Sequence, residues 1–445
     1  MTKTLRAILF ALSSLDVASM APDATAQDRG TKVRNDRERV EGDGFWIYND
    51  LPRGLQLAKE SGRPLLVVIR CIPCEACAQL DAQVVRRDPA LQRLLEKFVC
   101  VRIINANGLD LSLFQYDYDQ SFAAFFLNTD QTIYGRYGTR SHETESDRDV
   151  SVEGFAKALA AALELHERFA ENKALLAAKH GLEPLAKAPE ELPALKGKYG
   201  SRINYEGNVV QSCIHCHQVG EAMRLVYRAG GRAIPEKLLY PYPLPSVLGL
   251  VMDPHERARV RKVEPGSSAE RDGWQAGDEI VNLEGQPVLS IADLQWVLHN
   301  AGDAHALTAE VVRGSESRKL PLSLGPGWRQ RGDISWRATS WDLRRMTTGG
   351  MRLDDLSTEA RRSLGLDDDV LALRARHVGE YGEHATAKNA GFRKGDVLVE
   401  VNGSNTRLSE SQLMTWLVNA KRPGERVAVV VLRDGARIPL ELPMQ

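Results

Sequence analysis

AERDGWQAGDEIVNLEG at residues 269–285 recurs as AKNAGFRKGDVLVEVNG at residues 387–403, and this repeat decides the fold of the C-terminal half. In both copies an Ala-x-x-x-Gly segment is followed by Gly-Asp and then by an apolar strand. Glycine ends the helical segment and adopts the positive φ that few other residues tolerate. Each copy continues through a glycine turn, a helix and two final strands. The repeat therefore predicts two β-rich domains, each within the usual size range of about 50–250 residues.

The repeat resembles the PDZ domains of bacterial high-temperature-requirement proteases across most of the C-terminal half. PGSSAERDGWQAGDEIVNLEGQPV carries the resemblance in the first copy, and GGMRLDDLSTEARRSLGLDDDVLALRARHV with the second Gly-Asp segment carries it in the second. It implies two half-open β-barrels, each with a groove between a strand and a helix that binds a protein C-terminus by strand addition. The implied peptide-binding residues are Leu248, Gly249, Leu250, Gly350, Met351, Arg352 and Leu353. The alternative is that both domains only pack against their neighbours.

Composition and motifs exclude several functional classes. The chain has 445 residues, of which 43% are apolar and 26% charged, as in folded soluble proteins, and this length predicts about three domains. A formal net charge of -1 argues against a dedicated nucleic-acid-binding protein. Six cysteines are too few for a disulfide scaffold of this size. Because no Gly-x-Ser-x-Gly or comparable nucleophile motif precedes the repeat, we do not expect a protease.

The N-terminus has the features of a secretory signal over residues 1–26. Two basic residues precede a short apolar run at residues 7–15, and Ala-Thr-Ala at residues 24–26 offers a cleavage site. The run is too short to cross a bilayer, and no later segment is long and apolar enough. We therefore expect a soluble protein exported to the periplasm, where lasting disulfides can form. Residues 27–44 are polar and charged, which predicts a flexible lead-in.

Residues 45–182 alternate helical and strand patterns, which predicts an α/β domain with a mixed sheet. The continuous apolar run at residues 65–69 is typical of a strand buried on both faces. Asp-Pro at residues 88–89 predicts the start of another helix, and an alanine-rich pattern predicts one long helix at residues 151–179. The region from 45 to 165 resembles thioredoxin-fold proteins.

Three cysteines follow the buried strand in RCIPCEAC, at positions 71, 74 and 77. A dithiol at a strand-to-helix turn suits thiol–disulfide exchange, because the helix N-terminus stabilises the thiolate of the first cysteine. In the thioredoxin-like branch that this region resembles, the redox pair follows a lead-in proline, here Pro64, at a spacing that matches Cys74. The resemblance therefore makes Cys74 the attacking thiol and Cys77 the resolving thiol. Cys71 stays open as an alternative partner of Cys74.

One departure from thioredoxin-fold enzymes bears on activity. These enzymes place a cis-proline opposite the dithiol, whereas Phe122 or Ala123 occupies that position here. Because a cis bond before another residue type costs about 2.5–4 kcal/mol, we expect a trans peptide. A structural disulfide in a protein-binding adaptor is therefore the alternative to a redox-active pair. Cys100 lies within a predicted strand and is expected to be a core residue.

Residues 183–243 form a proline-rich connector with one chemical motif. Cys213, Cys216 and His217 match the C-x-x-C-H pattern for covalent attachment of haem c, with His217 as the axial iron ligand. The opposite iron ligand would have to be Met252 or His255. A local disulfide, a second exchange dithiol and a zinc site that uses a neighbouring histidine are the alternatives.

Taken in order, the chain resembles a bacterial family of thioredoxin-like and PDZ domain-containing (seleno)proteins. The expected segments are a signal peptide at 1–26, a lead-in at 27–44, a thioredoxin-like domain at 45–182, the connector at 183–243, a first PDZ domain at 244–326, and a linker with the second PDZ domain at 327–445. The first hypothesis is an exported thiol–disulfide oxidoreductase whose PDZ domains recruit the C-termini of partner proteins. The alternatives are a non-enzymatic periplasmic adaptor with a structural disulfide, and an electron-transfer protein that carries haem c.

Overall fold

The computed structural model describes residues 24–72, 78–86, 88–142, 148–302 and 306–445. These residues form an N-terminal α/β domain, a helical connector and two β-rich domains, so the predicted multidomain architecture is confirmed. Residues 1–23, which hold most of the signal features, lie outside the described residues, as do Cys74 and Cys77. None of the described helices is long and apolar enough to cross a membrane.

The N-terminal domain is built on a five-stranded mixed sheet with the strand order β1-β3-β2-β4-β5. Its elements are α1 Ala24–Asp43, β1 Ile47–Tyr48, α2 Leu51–Ser61, β2 Leu65–Arg70, α3 Ala78–Val85, α4 Pro89–Leu95, β3 Val99–Ile103, β4 Phe122–Leu127, β5 Ile133–Tyr137, α5 Val152–Glu167 and α6 Phe169–Leu176. β1, β3 and β2 run parallel, whereas β4 and β5 are antiparallel to their neighbours. Asp50 caps α2 through the Arg53 amide, and Gly62 ends it with a φ of 66°. The mixed sheet predicted from the sequence is confirmed.

Both faces of this sheet are buried, so the domain has two apolar cores. Successive residues of a strand point to opposite faces. Val68 of β2 lies in the core that includes Phe155 of α5. Val67 lies in the opposite core, together with Ile214 and Val219 of the connector. The connector is therefore packed as part of the N-terminal domain.

The predicted flexible lead-in at residues 27–44 is wrong, because α1 covers almost all of it. Arg102 of β3 is fully buried, and a buried guanidinium needs carboxylate partners. Asp36 of α1 and Asp81 of α3 supply them, at 3.1 and 2.6 Å. Val40 of α1 is also buried, in the core beneath α5. The helix is held by tertiary contacts that its polar composition does not reveal.

The predicted long helix at residues 151–179 is interrupted. Arg168 leaves the helical conformation, with φ −111° and ψ 33°, and separates α5 from α6. The Phe169 ring then packs edge-on against Tyr134 of β5, with 6.0 Å between the ring centroids. This contact with the sheet accounts for the break.

The connector contains three α-helices and contacts the N-terminal domain and both β-rich domains. They are α7 Val209–Ser212, α8 Cys216–Ala229 and α9 Glu236–Leu239. α8 starts against the N-terminal domain, where Cys216 and Val219 are buried in its core. Near its end, Arg228 Nη1 donates to the Val418 carbonyl oxygen of the second β-rich domain at 2.9 Å. α8 therefore spans from the first domain to the last.

The two β-rich domains share the strand, turn and helix order that the repeat predicts. The first contains β6 Leu250–Met252, β7 Val260–Val263, α10 Ser268–Arg271, β8 Glu279–Leu283, β9 Gln286–Pro287, α11 Ile291–Asn300, β10 Ala306–Arg313 and β11 Glu316–Ser323. The second, with the helix that precedes it, contains α12 Ser340–Thr348, β12 Met351–Asp355, α13 Thr358–Ser363, β13 Leu373–Val378, α14 Thr386–Asn389, β14 Val397–Val401, α15 Glu410–Ala420, β15 Arg426–Arg433 and β16 Ala436–Pro443. The sheet orders are β11-β10-β8-β9 with a separate β6-β7 pair, and β12-β13-β14-β15-β16.

The same ion pair holds the Gly-Asp turn in both copies. Arg313 at the end of β10 donates to both carboxylate oxygens of Asp278, at 2.6 and 2.8 Å. Arg433 at the end of β15 donates to both carboxylate oxygens of Asp396, at 2.6 and 2.7 Å. Such bidentate pairs fix geometry as well as adding energy. The sequence repeat is thus a repeat of three-dimensional structure.

Candidate thiol site and peptide grooves

Cys71 lies directly after β2, three residues before Cys74 in the sequence. Its amide donates to the Ser121 carbonyl oxygen at 3.1 Å, and its side chain is buried. The Cys71 sulfur lies 3.7 Å from Nδ1 of His215 in the connector. The structure therefore brings the first cysteine cluster and the C-x-x-C-H motif together.

Cys216 is the first residue of α8 and lies on the same side of the sheet. Its sulfur accepts a hydrogen bond from the Tyr116 hydroxyl at 3.1 Å. Burial, and next the Cys216 thiol, raise the pKa of Tyr116 well above its ordinary value, so this hydroxyl stays protonated and donates. Cys71 also acts on the same hydroxyl. We call Cys71, Tyr116, His215 and Cys216 the thiol cluster.

His215 is a neutral imidazole at physiological pH. Burial, and next the charge of His217, lower the pKa of His215 to about 4. The two histidine rings stack with 5.8 Å between centroids and 14° between planes. Because its lowered pKa disfavours the imidazolium, His215 can accept a hydrogen bond from the Cys71 thiol but is a poor base toward it.

The polar loop after β3 holds the connector in this position. Asn107 Oδ1 accepts from the Ile214 amide at 2.8 Å, and the Ala106 amide donates to the Ile214 carbonyl oxygen at 2.9 Å. His215 then caps α8, and Gln218 Oε1 accepts from the His215 amide at 2.8 Å. The sequence did not predict that the connector packs here. Asn105 and Asn107, two polar residues directly after an apolar strand, were the available signal.

The C-x-x-C-H residues do not fit covalent haem. Two thioethers and an axial histidine must face one cofactor, yet Cys216 is buried against Tyr116. His217 Nδ1 lies 3.1 Å from Glu221 Oε1 on the same helix. Of the predicted opposite ligands, Met252 is buried in the core of the first β-rich domain and His255 lies 3.4 Å from Glu153. The haem prediction is therefore not supported.

The described residues bear on two other interpretations of this motif, a zinc site and a local disulfide. Among the residues that the structure describes, no group of three or more His, Cys, Asp or Glu side chains could hold a metal ion. Within the same residues, Cys213 and Cys216 form no disulfide with each other. A second exchange dithiol remains compatible with the site.

Two further expectations for this domain are confirmed. No described peptide bond is cis, so the bonds at Phe122 and Ala123 are trans, and both residues pair with β2 as part of β4. Cys100 is a core residue. Burial raises the pKa of the Cys100 thiol far above its ordinary value, so it is unreactive.

The predicted peptide-binding residues of the first copy lie at the start of β6. Leu248 and Leu250 are buried, and Gly249 between them has a φ of 94°. A Cβ at Gly249 would lie only 2.1 Å from Ser267 Cβ, so the loop is tightly packed. These residues lie beside the predicted groove, but the helix that would form its other wall packs against another domain.

That helix, α11, is docked on the N-terminal domain. Asp293 accepts from Lys179 Nζ at 2.8 Å and from the Arg136 amide of β5 at 3.2 Å. Both side chains of the ion pair are almost fully buried. Trp296 Nε1 donates to the Ala178 carbonyl oxygen at 3.1 Å, and the Arg136 guanidinium lies 3.8 Å from the Trp296 ring centroid. The first groove is built into a domain interface.

The predicted peptide-binding residues of the second copy lie at the edge of its sheet. β12 pairs only with β13 among the described strands, so its outer edge is where a peptide would add. The Leu353 amide donates to Glu410 Oε1 at 2.7 Å, and the Met351 carbonyl oxygen accepts from Thr348 Oγ1 at 2.8 Å. The chain itself therefore satisfies the backbone groups that strand addition would use.

α12 closes this second groove. Arg344 of α12 donates to both carboxylate oxygens of Glu410 on α15, at 2.9 and 2.6 Å, and both side chains are buried. Leu343 and Met346 of α12 are buried in one apolar cluster with Met414 of α15. The amide of Gly350, the first of the predicted peptide-binding residues in this copy, donates to the Arg344 carbonyl oxygen at 3.0 Å. α12 is therefore packed against the helix and beside the strand that would form the groove.

Comparison with known families identifies the three domains. Residues 46–129 match the thioredoxin-like family, and residues 259–311 and 382–444 match PDZ domains. The chain therefore contains a thioredoxin-like domain followed by two PDZ domains, as expected from the sequence. We refer to the β-rich domains as PDZ1 and PDZ2.

Curated relatives resemble the PDZ half. A probable periplasmic serine endoprotease DegP-like of Pseudomonas putida is 26% identical over 184 residues, which cover 41% of this chain and 37% of the relative. The protein of the same description from Pseudomonas savastanoi is 27% identical over 187 residues, which cover 41% and 36%. The chain thus spans little more than a third of the length of these relatives.

Among solved structures, the HtrA3 PDZ domain bound to a phage-derived ligand is 31% identical and covers 15% of this chain and 60% of that chain. Its TM-score of 0.14 supports no conclusion about the whole chain.

Proposed function

We propose that this protein, a thioredoxin-like domain joined to two PDZ domains, is exported to the periplasm and carries out thiol–disulfide exchange on proteins recruited through PDZ2. The observation that carries the proposal is the thiol cluster, in which Cys71, three residues before Cys74 in the sequence, lies beside a neutral His215. Export is supported by the signal features at residues 1–26 and by the periplasmic description of the relatives.

The proposed reaction uses Cys74 and Cys77 in two steps. The Cys74 thiolate attacks one sulfur of a partner disulfide, a mixed disulfide forms, and the other partner sulfur leaves as a thiolate that takes up a proton. Cys77 then loses its proton and attacks the Cys74 sulfur. The partner leaves as a dithiol, and a Cys74–Cys77 disulfide remains. Two electrons pass to the partner, and the reverse sequence oxidises a partner dithiol.

The thiol cluster would tune this exchange. His215 would accept a hydrogen bond from the Cys71 thiol, and Cys71, once its proton is lost to solvent, would exchange with an oxidised Cys74. Tyr116 donates to the Cys216 sulfur, which favours the thiolate of Cys216 over its thiol. Because Cys216 contacts Tyr116 and Cys71 acts electrostatically on the same hydroxyl, these two cysteines would offer a second dithiol to hold the two electrons.

Recruitment would require α12 to leave the PDZ2 groove. The edge of β12 is engaged by Thr348 and Glu410, so a partner C-terminus must replace these hydrogen bonds. PDZ1 would serve as a structural bridge, since α11 is committed to the thioredoxin-like domain.

The test is reduction of insulin by dithiothreitol with the full chain and three variants. We expect Cys74→Ser and Cys77→Ser to lower the rate to that of dithiothreitol alone. The matched control is Cys100→Ala, which removes a buried core thiol and should leave the rate per folded molecule unchanged. Equal rates for wild type and Cys74→Ser would contradict the proposal. Trapping a mixed disulfide with Cys77→Ser would identify the attacking sulfur.

A non-enzymatic adaptor is the second candidate function. The trans peptide at Phe122 and Ala123 favours it, because thioredoxin-fold enzymes place a cis-proline there to dock their substrates. In this case a variant with Cys71, Cys74 and Cys77 all replaced by serine should fold and bind its partner as the wild type does. Loss of function on replacing Cys74 alone would count against the adaptor.

A further inference from the structure

A cavity of about 300 Å³ lies where the thioredoxin-like domain, the connector and PDZ1 meet. Its walls are mostly apolar and aromatic, and include Leu111, Tyr118, Leu182, Met223, Tyr227 and Tyr242. This volume is at the lower end of the range for small-molecule sites, which combine apolar walls with a few fixed polar groups. We call it the junction cavity.

One polar group in the junction cavity is unusual. Arg224 of α8 lines the cavity and is only 2% exposed. Its single hydrogen bond among the described residues runs from Nη2 to the Thr339 carbonyl oxygen, at 2.7 Å. Nε is buried without a hydrogen-bond partner in the described part of the chain. A buried guanidinium is normally paired with a carboxylate, because burying an isolated charge is costly.

Three carboxylates line the cavity, of which Asp117 and Asp119 pair with Arg337, whereas Glu183 is exposed. Asp117 and Asp119 also line the cavity, but both accept from Arg337 Nη1, at 2.6 and 3.2 Å. Asp119 accepts in addition from the amide and the hydroxyl of Thr339, both at 2.9 Å. Burial accordingly lowers the pKa of Arg224, despite the attraction of more distant carboxylates. Arg224 therefore lacks a carboxylate within ion-pair distance among the described residues.

We propose that the junction cavity binds a small amphiphilic carboxylate, with its apolar chain or ring between the aromatic walls and its carboxylate on Arg224. A guanidinium and a carboxylate form two parallel N–H···O bonds, which would use the unpartnered Nε. A cationic ligand would place a second positive charge beside Arg224, and a neutral hydroxyl could accept only a weaker hydrogen bond without charge assistance. The proposal is independent of thiol exchange, although Tyr116 both lines the cavity and contacts Cys216.

The first experiment compares three ligands with the same eight-carbon chain. Isothermal titration of the full chain with octanoate, 1-octanol and octylamine separates the carboxylate from the apolar contribution. We expect saturable binding of octanoate, and binding of 1-octanol and octylamine at least about tenfold weaker, as for loss of a charge-assisted hydrogen bond. Absence of saturable octanoate binding at millimolar concentration, or equal affinity for octylamine, would overturn the proposal.

The second experiment changes the protein. Arg224→Gln keeps a hydrogen-bonding side chain and removes the charge, and we expect it to weaken octanoate at least about tenfold and to leave 1-octanol unchanged. The matched control is Arg261→Gln, the same change at an exposed position on β7, which should bind octanoate as the wild type does. Equal octanoate affinity for Arg224→Gln and the wild type would overturn the proposal.

A third variant covers the case in which Arg224→Gln does not fold. Met223→Trp places a larger side chain in the cavity and leaves Arg224 unchanged. It should abolish the binding of both octanoate and 1-octanol. Unchanged octanoate binding by this variant would place the ligand elsewhere and contradict the proposal.

Discussion

PDZ1 and PDZ2 have the same turn, the same Arg–Asp ion pair and the same order of elements, yet their grooves are covered by different parts of the chain. In PDZ1 the groove helix α11 is docked on the thioredoxin-like domain through Asp293 and Trp296. In PDZ2 the groove helix α15 is covered by α12, which is only a few residues upstream of β12. The two domains therefore share one fold, but the segments packed against each groove helix determine whether a peptide can enter that groove. The connector also contacts α15, but α12 is the helix that pairs with Glu410 at the start of α15, next to the edge of β12.

The largest effect should come from breaking the PDZ1 interface with Lys179→Met. This change leaves Asp293 buried without its cation, which costs about 3–5 kcal/mol of unfolding free energy. Urea denaturation followed by tryptophan fluorescence measures it. Lys173→Met is the matched control, because Lys173 pairs with Asp130 at the surface and should cost less than about 1 kcal/mol. Similar losses for both variants would show that the interface does not stabilise the protein.

A smaller loss should follow from opening PDZ2 with Arg344→Met. Glu410 then lies buried and unpaired, but at the first position of α15, where the helix dipole offsets part of the cost, so we expect about 2–3 kcal/mol. Release of α12 should also raise the affinity of PDZ2 for a C-terminal peptide, measured by fluorescence polarisation. Arg345→Met, the neighbouring change at a more exposed site, should leave peptide affinity unchanged. Lower stability without tighter peptide binding would mean that α12 is not the barrier.

The comparison also predicts a pH dependence that resides in PDZ1. Burial, and next the charge of Arg329, lower the pKa of His299 on α11 to about 3. Below about pH 6.5, His299 is protonated in the unfolded chain but stays neutral in the folded chain. As the pH decreases from about 6.5 to about 3, the unfolding free energy therefore decreases by about 1.4 kcal/mol per pH unit.

His299→Phe keeps the ring that stacks on Tyr242 and removes this titration. We expect a shallower decline in unfolding free energy between pH 6 and 4 than in the wild type. The corresponding residue of α15, with Leu294 aligned to Leu413, is Val418, which does not titrate. Val418→Ala should lower stability equally at both pH values. Identical pH slopes for His299→Phe and the wild type would refute the assignment.

The smallest effect should come from Thr348→Val, which removes the hydrogen bond to the Met351 carbonyl oxygen. Loss of one neutral hydrogen bond costs about 1 kcal/mol, and it frees one acceptor at the edge of β12. A modest rise in peptide affinity should accompany it. Thr308→Val on the exposed face of β10 is the control and should change neither quantity. A larger effect than that of Arg344→Met would reverse the roles we give to these two contacts.

Local pattern predicts most of this fold. The apolar run at residues 65–69 predicts β2, the glycine at position 62 predicts the end of α2, and the Gly-Asp repeat predicts both PDZ domains. These features depend on neighbours within a few residues, so periodicity and turn chemistry reveal them. α1 is the exception, because the contact of Asp36 with Arg102 is tertiary and leaves no mark on local composition.

The sequence predicts the two cysteine motifs of the candidate site but not the contact between them. The cysteines near position 71 and the C-x-x-C-H motif were both identified, but as separate features. The contact of Cys71 with His215 joins positions 144 residues apart, and no repeat or spacing encodes such a pairing. The same holds for the grooves, since the sequence of PDZ1 does not show that Asp293 pairs with Lys179 of another domain.

The α8 helix has a geometrical consequence for any partner. Cys216 and Arg228 stand twelve residues apart on one helix, which corresponds to about 18 Å at 1.5 Å per residue. Arg228 donates a hydrogen bond to Val418 near the end of α15, so the length of α8 sets the distance between Cys216 and PDZ2. An extended chain covers that length with about five or six residues. Substrates with a cysteine closer than this to their C-terminus would be held and yet be out of reach.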